Sequence, residues 1–404
     1  MRFSALAIAA CLCSGSLLHA DVALIGIGTI AGSTPDKSGL KGKQKDGTPH
    51  NRLGGLGSAI AYTGSRNRYV LASDRGPADG ASDFICRFHT MDIVVSPGQT
   101  PALSVSLVTT VLLNDESKRA YVGSLNAIDP QKPSRSMRFD PEGIRVGPSG
   151  TLFISDEYGP FLYEFDAQGH RLRALSVPKH FHAARPSAKP DDELPPKNTI
   201  GRQPNRGMEG LAISPDGTKL FGIMQSPLIQ DGALDKDKKR IGVNCRLLEI
   251  DRTTSKTREF VYPLESSDLG VSEILAVGKN QFLVLERDGL GGKDAKFKKI
   301  FLIGLEGASD VSAVAELPTK QLPKKTRPVS KKLFLDMLQP KHGIVGLSCP
   351  EKFEGIAFGP DLADGRRLLI VSVDNDFVAQ VPIRFYAFAI DRADLPGFEA
   401  QRFE

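Results

Sequence analysis

Four short runs of apolar or alternating residues dominate the stretch from residue 140 to residue 177. Residues 143–146 and 152–154 are apolar runs, and residues 161–165 and 171–177 alternate between apolar and polar. Runs this short, bounded by Pro, Ser, Gly and Asp, predict β-strands. A sheet of four short strands cannot bury both of its faces alone, so this unit requires copies of itself to pack against.

The first strand of this unit recurs along the chain. Its copies start at Glu142-Gly143, Glu209-Gly210, Ser272-Glu273 and Glu354-Gly355, after a weaker form at Gly54-Gly55-Leu56. The copies are farther apart than the ~40 to 50 residues of common propeller repeats. The chain is therefore predicted to combine a repeated sheet with long loops.

The repeats predict an all-β protein, a β-propeller of five or six four-stranded antiparallel blades in a single closed ring. This ring is expected to form one domain over residues 21–404. The assigned blades cover residues 58–113, 143–177, 210–263, 274–317 and 355–390. Because the last blade has three strands of its own, we expect the apolar run 22–30 to complete it as a clasp between the two ends of the chain.

Two segments leave alternatives open. Residues 311–317 are assigned to the outer strand of the fourth blade, while residues 331–338 fit either a strand or one to two helical turns. A sixth blade could be built from residues 114–138 together with residues 318–346.

The first twenty residues have the pattern of an export signal. Arg2 gives a positive start, residues 5–18 are mostly apolar, and Leu18-His19-Ala20 ends in a small residue. We expect cleavage near Ala20, a mature protein that begins near Asp21, and a secreted or periplasmic location. A lipoprotein cleavage box at Cys11 is the alternative. No stretch approaches the ~20 apolar residues of a membrane span.

Composition and charge exclude several classes of function. The net charge of +5 is modest, and the basic runs 293–299 and 320–332 fall in predicted loops, which favours a role in solubility. No nucleic-acid reader motif is present, so nucleic acid is not an expected partner. The absence of Trp and the seven Tyr argue against a platform that stacks sugars.

Cysteines and histidines give weak signals. Cys86, Cys245 and Cys349 are too far apart for a C-x-x-C motif, and three buried thiols are favoured over one disulfide. His180 and His182 could form a metal pair, but without a third ligand at suitable spacing a solvated loop is the favoured interpretation.

Acidic residues recur at the strand ends that meet around the channel of a propeller. The inner strands of all blades run in one direction, so the residues at their starts lie on one face. These starts carry Glu142, Glu209, Glu273 and Glu354, and the second strands end at Asp74, Asp156, Glu157, Glu286 and Asp374. So many carboxylates at one mouth repel one another unless cations neutralise them. Arg75, Arg138, Arg206 and Arg287 adjoin the same motifs.

Two interpretations of this ring remain open. In the first, each Glu bonds to a neighbouring blade or to an Arg and has a structural role. In the second, the ring holds a divalent cation, with Ca²⁺ favoured because it takes six to eight oxygen ligands, and Arg side chains hold a phosphate. The candidate metal ligands are Asp74, Glu142, Asp156, Glu209, Glu273, Glu354 and Asp374. The candidate catalytic residues are Glu142, Asp156, Glu157, Glu209, Glu286 and Glu354, and the candidate substrate-binding residues are Arg75, Arg206, Arg287 and Asn375.

Five ordered segments resemble the bacterial and plant phytase-like family described as having esterase-like activity. They are FDPEGIRVGPSGTLFISDEYGPFLYEFD, NRGMEGLAISPDGTKLFGIMQSPLIQDG, LLEID, SEILAVGKNQFLVLERDG and FEGIAFGPDLADGRRLLIVSVDNDF. The resemblance extends from about Leu24 to Ala389. It implies a secreted or periplasmic β-propeller with phosphoester or ester hydrolase activity. The chain departs from the family pattern at Gly54-Gly55-Leu56-Gly57-Ser58 and at the added Asp376.

Together, these patterns predict an exported hydrolase that cuts a small-molecule phosphate ester or ester through a metal-activated water at the propeller mouth. No G-x-S-x-G motif supports a serine esterase. We expect a monomer without a membrane span. The alternative is a non-catalytic binding or scaffold propeller that uses the loops 34–51, 180–205 and 318–346. Roughly four or more oxygens that face one open cavity would favour hydrolysis, and a fully paired ring with the channel mouth plugged by loops would favour the scaffold.

Overall fold

The computed structural model of the protein describes residues 22–403. Over this range twenty β-strands form five separate four-stranded sheets, and the helical residues belong to short 3₁₀-helices. The predicted signal peptide, residues 1–20, and the predicted mature start at Asp21 lie outside the described residues.

Each sheet is one blade of a propeller and is antiparallel throughout. Blade 1 consists of β2 (Leu56–Tyr62), β3 (Arg68–Ser73), β4 (Arg87–Val95) and β5 (Leu103–Leu112). Blade 2 consists of β6 (Pro141–Val146), β7 (Leu152–Asp156), β8 (Leu162–Phe165) and β9 (Arg171–Ala174). Blade 3 consists of β10 (Met208–Ile213), β11 (Lys219–Met224), β12 (Asn244–Asp251) and β13 (Thr257–Pro263).

The last two blades complete the ring. Blade 4 consists of β14 (Gly270–Ala276), β15 (Gln281–Arg287), β16 (Lys298–Gly304) and β17 (Ser330–Asp336). Blade 5 consists of β18 (Phe353–Phe358), β19 (Arg367–Val373), β20 (Ile383–Ile390) and β1 (Ala23–Ile30). The 3₁₀-helices are Leu125–Ala127, Pro133–Arg135, Pro148–Gly150, Lys179–Phe181, Pro190–Glu193, Ile229–Asp231, Gly292–Asp294, Pro340–His342, Gly346–Ser348 and Arg392–Asp394.

The ring closes through the clasp that the sequence predicts. β1 pairs antiparallel with β20 and so joins the start of the described chain to its last blade. The innermost strand of each blade packs against that of the next, including β18 against β2. The all-β propeller is confirmed, with five blades in the described residues. The alternative of a sixth blade is wrong, because residues 114–138 contain no named strand and residues 330–336 belong to blade 4.

The predicted outer strand of blade 4 at residues 311–317 is also wrong. Val311 and Leu317 are buried against Val261 at the outer edge of blade 3, where the Val311 amide donates to the Glu259 carbonyl at 2.8 Å. A segment that covers an exposed sheet edge has the same apolar pattern as a strand. The true outer strand, β17, is the segment whose alternatives were a strand or helical turns.

Apolar side chains fill the space between neighbouring blades. Phe221 of blade 3 and Phe282 of blade 4 stack edge to face with ring centroids 4.5 Å apart, and both are fully buried. Burying one such ring contributes roughly 1.5–3 kcal/mol. Cys86, Cys245 and Cys349 are free and buried, as predicted.

The two faces of the ring differ in the length of their connections. On the face where the inner strands begin, the connections include residues 31–55, 113–140, 175–207, 225–243 and 337–352. We call this the mouth face and the opposite one the far face. Far-face connections are mostly short turns, with the exception of residues 305–329. Long loops are where binding residues concentrate.

The pairing of the inner strand with the second strand shifts near the start of every blade. In blade 2, for example, Pro141 pairs with Asp156 and Gly143 pairs with Ser155, which leaves Glu142 outside the ladder as a β-bulge. In blades 2, 3 and 5 a Gly follows the shifted position, because neighbouring inner strands approach closely there. A Cβ on Gly210, for example, would lie 2.7 Å from the Ile274 nitrogen.

The described residues contain no helix that combines the length and apolar character needed to cross a membrane.

Candidate functional site

Two concentric sets of residues surround the channel at the mouth face. The inner set occupies the shifted positions at the start of the inner strands: Gly57, Glu142, Glu209, Ser272 and Glu354. The outer set follows, or in blade 4 ends, the second strand of each blade: Asp74, Glu157, Gln225, Arg287 and Asp374. Equivalent backbone positions thus bring side chains from all five blades to one place.

A polar cavity of about 230 Å³ opens at this point. Its lining includes eight residues of the two sets: Asp74, Glu142, Glu157, Glu209, Gln225, Ser272, Arg287 and Glu354. Loop residues add further charged and polar groups: Arg75, Asn205, Arg206, Arg240, Asp268, Glu351 and Lys352. The cavity therefore has both a source of negative charge and a source of positive charge.

The negative charge is concentrated on blades 1 to 3. Glu142, Glu157 and Glu209 each place a carboxylate oxygen within 4.8 Å of the others. Asp74 and Asp140 form an overlapping group with Glu142 at the same spacing. We call these five residues the acidic wall.

Several oxygens of the acidic wall accept no hydrogen bond. The Glu142 carboxylate makes no hydrogen bond or ion pair with another described residue, although Glu142 is only 7% exposed. Glu209 accepts a hydrogen bond from Gln225 at Oε1 (2.5 Å), but its Oε2 has no hydrogen bond. Asp74 Oδ1 also accepts none. Buried carboxylate oxygens without donors are costly unless a proton or a cation satisfies them.

Burial and mutual repulsion change the acidity of this wall. Burial raises the pKa of Glu142 and Glu209 well above the usual range, and neighbouring carboxylates raise both further. Burial raises the pKa of Asp74 to about 7, against the opposing effect of Arg75. Oxygen atoms at this spacing and with this charge fit the donor set of Ca²⁺ or Mg²⁺. A third group of suitable spacing joins Asp74 to Asp374 and Asp376.

Arg75, predicted to bind substrate, is engaged by the acidic wall. Its Nη1 donates to Asp140 Oδ2 at 2.7 Å and to Glu157 Oε2 at 3.2 Å, and Asn205 accepts a further short contact. Arg75 lines the cavity, but its guanidinium mainly holds carboxylates in place. Arg75 therefore has mainly a positioning role, because its Nη1 donors are already used within the site.

Three further arginines line the cavity, Arg206, Arg240 and Arg287, and we call them the basic wall. Arg206 donates to Ser226 Oγ at 3.2 Å, while Arg287 donates to Ser272 Oγ at 3.0 Å and to Glu354 Oε1 at 2.7 Å. The Nη1 of Arg240 is buried and has no hydrogen bond.

The basic wall can bind an anionic ligand because its guanidinium groups carry positive charge. Burial, together with the nearby charge of Arg240, lowers the pKa of Arg206 to about 10, so Arg206 stays positive at neutral pH. Three guanidinium groups around one polar cavity suit a phosphate or carboxylate.

A buried ionic network fixes the loop that carries Asn205 and Arg206. Within residues 175–207, Glu193 pairs with Arg202 at 2.5 Å and with Arg138 at 3.5 Å. The two histidines of this loop are not a metal pair. His180 contacts Glu259 at 3.0 Å, and His182 contacts the Gly159 carbonyl.

Asp156 and Glu286, both predicted at the mouth, lie inside the blades. Asp156 accepts the amides of Asp140, Tyr158 and Gly159 and so shapes a turn. Glu286 accepts the Tyr262 hydroxyl at 2.6 Å and the Lys331 ammonium at 2.7 Å. Because strand side chains alternate, their neighbours Glu157 and Arg287 face the cavity instead.

Glu273 and Asn375 also lie away from the mouth cavity. Glu273 follows the shifted position of blade 4, which Ser272 occupies, and it pairs with Arg145 at 3.0 Å inside the channel. Asn375 holds a loop, accepting the Gly55 amide and donating to the Val378 and Val381 carbonyls. Both predicted placements at the mouth are corrected.

The remaining predicted residues meet at the mouth. Glu354 lines the cavity paired with Arg287, and Asp374 lies beside it, with Lys352 at 3.4 Å. The sequence interpretation missed Gln225, Arg240 and Lys352. Gln225 directly follows β11, as Asp74 follows β3, so a comparison of strand ends could have found it.

Comparison with known families matches most of the chain. The family model described as "Phytase-like: Esterase-like activity of phytase" matches residues 51–377. An "Uncharacterized secreted protein" of Arthroderma benhamiae is 30% identical over 353 residues, which cover 70% of this chain and 66% of the relative. The matched region thus spans slightly less than two thirds of the relative's length.

Solved propeller structures resemble the chain only weakly. A gluconolactonase from Xanthomonas campestris matches 92% of this chain and 96% of its own at 9% identity, with a TM-score of 0.36. A streptogramin B lyase matches 90% of this chain and 97% of its own at 10% identity, with a TM-score of 0.33. We take no functional conclusion from similarities this low.

Proposed function

Since the chain belongs to the phytase-like family described by its esterase-like activity, we propose that it is an exported hydrolase that cleaves small phosphate esters at the mouth of the propeller with the help of a divalent cation. One observation carries the proposal. Buried carboxylate oxygens without hydrogen bonds on Asp74 and Glu209, and the adjacent Glu142 carboxylate, face the same cavity as the guanidinium groups of the basic wall. That arrangement suits a cation and a phosphate side by side.

The acidic wall supplies the cation ligands in this proposal. Glu142 is central because it belongs to both overlapping groups, with Glu157 and Glu209 on one side and Asp74 and Asp140 on the other. Oxygen-only ligands from several blades favour Ca²⁺, which tolerates loose geometry. When bound, such a cation polarises a phosphoryl oxygen and makes a water molecule more acidic.

Side chains of the basic wall would orient the phosphate. Arg206, Arg240 and Arg287 offer planar donors suited to phosphate oxygens, and Arg287 is itself held by Glu354 and Ser272. Glu209, a member of the acidic wall, also lies near the basic wall, since the charge of Arg287 opposes the rise of its pKa. We assign the Oε2 of Glu209 as the atom that accepts a proton from the attacking water.

A serine mechanism has less support. Ser272 places a hydroxyl in the cavity, but that hydroxyl accepts a hydrogen bond from Arg287. No histidine is among the residues described as lining the cavity, so Ser272 lacks the usual base. The proposal therefore relies on carboxylates and arginines.

The leader sequence and the relative both support the proposed location outside the cytoplasm. Residues 1–20 have the pattern of a cleaved signal, and the Arthroderma relative is named a secreted protein. We propose a mature domain from residue 21 to residue 404 that acts as a monomer outside the cytoplasm. Intact-mass analysis of exported protein tests this, because retention of Met1 or a lipid on Cys11 contradicts it.

The activity test compares a phosphate monoester and a carboxylate ester, each with chelator and with added Ca²⁺. We expect chelator-sensitive cleavage of the monoester in the wild type. Glu142→Gln should weaken Ca²⁺ affinity and turnover together, and Glu209→Gln should lower turnover about 10²-fold or more. Glu306→Gln, at an exposed residue, is the matched control.

Two outcomes count against the proposal. Chelator-sensitive turnover that is unchanged in both site variants would place the active site elsewhere. Absence of turnover with any divalent cation would favour a binding propeller without catalysis, whose outer loops hold a partner.

A further inference from the structure

A short hairpin carries one arginine of the basic wall. Leu234 and Arg240 pair across its base, and the Asp235 amide donates to the Lys239 carbonyl at 2.9 Å. Asp235 Oδ1 accepts the amides of Asp237 and Lys239, which closes a tight turn. The turn therefore projects its lysines outward from the mouth face while Arg240 stays at the cavity.

A second basic segment adjoins this hairpin. The Asn244 amide group donates to the carbonyls of Pro318 and Lys320 at 2.6 and 2.9 Å, and the Val243 amide donates to the Thr319 carbonyl. From there the chain returns along the outer edge of blade 3, because the Val329 amide donates to the Val261 carbonyl. The segment thus leads from the mouth face onto the side of the ring.

The basic side chains of these two segments have no internal partners. All are exposed, and none makes a side-chain hydrogen bond or ion pair with another described residue: Lys236, Lys238, Lys239, Lys320, Lys324, Lys325 and Arg327. By contrast, Lys331 in the following strand is paired with Glu265 and Glu286. The acidic residues Asp235, Asp237 and Glu316 only partly offset this charge.

We call these seven exposed basic residues the basic strip, and we propose that the basic strip binds a linear polyanion whose end enters the mouth cavity. Unpaired cations along a continuous surface attract an extended anion more than a single small one. Arg240 connects the strip to the cavity, since its buried Nη1 lacks a hydrogen bond there. A flat anionic membrane fits less well, because the strip passes from the mouth face to the side of blade 3.

This inference goes beyond the proposed function, because binding along the strip does not require hydrolysis. It depends on that function only for the fate of the chain end in the cavity. A binding assay therefore tests the strip, and a separate monoester assay tests the hydrolase.

The experiment measures binding of long-chain inorganic polyphosphate and of pyrophosphate to the full chain. The test variant combines Lys238→Gln, Lys239→Gln, Lys324→Gln and Lys325→Gln. The control variant combines Lys41→Gln, Lys43→Gln, Lys118→Gln and Lys132→Gln, which removes the same charge from exposed lysines elsewhere. Lys118 lies in a turn like that of Lys238, and both residues have φ = 63°.

We expect the test variant to lose roughly tenfold in affinity for the long chain at low salt, with a smaller loss at high salt. The control variant and all pyrophosphate affinities should stay within a factor of about two. Thermal melting confirms that both variants fold.

Equal losses in the two variants would overturn the proposal, since net charge alone would explain them. Binding to anionic vesicles without binding to polyphosphate would also overturn it in favour of a membrane surface. Monoester turnover that fails while chain binding persists would count against the hydrolase alone.

Discussion

The two ends of the channel are built on the same five inner strands and differ sharply in chemistry. At the mouth, a cavity of about 230 Å³ is lined mainly by charged side chains. At the far end, a cavity of about 350 Å³ is lined by Tyr62, Phe358, Phe398 and Phe403, among others. One ring therefore presents a charged pocket on one side and an aromatic pocket on the other.

The difference originates in the course of the strands. At the mouth, each inner strand begins with a register shift that leaves one side chain outside the ladder. At the far end the pairing is regular, short turns follow, and residues 398–403 lie over the opening. The starts of the inner strands thus carry the charged side chains of the mouth, and their ends carry the apolar side chains that pack at the far face.

A buried pair inside the channel separates the two ends. Arg145 Nη2 lies 3.0 Å from Glu273 Oε2 and donates to the Ile274 carbonyl at 2.7 Å. Its Nη1 donates to the Ile60 carbonyl at 2.8 Å. Arg145 of blade 2 therefore joins blades 1 and 4 across the channel axis.

The largest effect is expected from removing this partition. Arg145→Met leaves the Glu273 carboxylate buried without its cation and frees backbone carbonyls of two other blades, so the free energy of unfolding should fall by about 3–5 kcal/mol. Denaturant unfolding measures the loss. Arg68→Met, at an ion pair whose two side chains are 42% and 36% exposed, is the control and should cost about 1 kcal/mol or less. A similar, small loss in both variants would contradict a structural role for the partition.

A medium effect is expected from opening the far end. A chain that stops after Gly397 loses the Phe398 contacts with Phe358 (4.8 Å) and Arg367 (3.6 Å), and the Gln401 hydrogen bond to Val146. We expect a loss of about 2 kcal/mol in stability with unchanged turnover at the mouth. Turnover that falls while stability holds would show that the two ends are coupled.

The smallest effect concerns pH. The pKa values of Asp74, Glu142 and Glu209 are raised by burial, so the folded protein binds these protons more tightly than the unfolded chain does. With chelator, the melting temperature should therefore rise by roughly 1–2 °C as the pH falls from about 7 towards 4.5. Saturating Ca²⁺ should reduce this rise.

Melting scans at two pH values, with and without chelator, check the direction. Carboxyls with lowered pKa act the other way, but only at lower pH: Asp216, at about 2, loses its contribution as the pH falls below about 4. In the presence of chelator, a lower melting temperature near pH 5.5 than near pH 7.5 would contradict the assigned protonation of the acidic wall.

Most strands could be predicted as short apolar or alternating runs between turns, because both faces of each blade pack against neighbouring blades and the inner strands are buried throughout. The clasp β1 was predictable for the same reason, as an apolar run without a local partner. Residues 311–317 misled the prediction because Val311 and Leu317 are buried as strand residues are, yet they only cover an edge.

The candidate site could be predicted only to within one residue. Glu142, Glu209 and Glu354 do line the cavity, but Asp156, Glu273 and Glu286 point elsewhere, one position away from a residue that does. A register shift reverses which side chains face the channel, and local sequence does not reveal it. Arg240 and Lys352 come from loops, whose course depends on contacts with distant segments.

A side chain that belongs to no ladder pair can be exchanged without altering the strand that carries it. Four of the five inner positions carry a side chain at an equivalent place in the strand, Glu in three blades and Ser in one: Glu142, Glu209, Ser272 and Glu354. Gly57 is the exception, since its φ is 113° and a Cβ there would lie 3.0 Å from the Val373 carbonyl oxygen. In an engineered variant, the backbone of the ring would thus stay fixed while the side chains at these four positions are exchanged. A charged side chain introduced at Ser272 would lie beside Arg287.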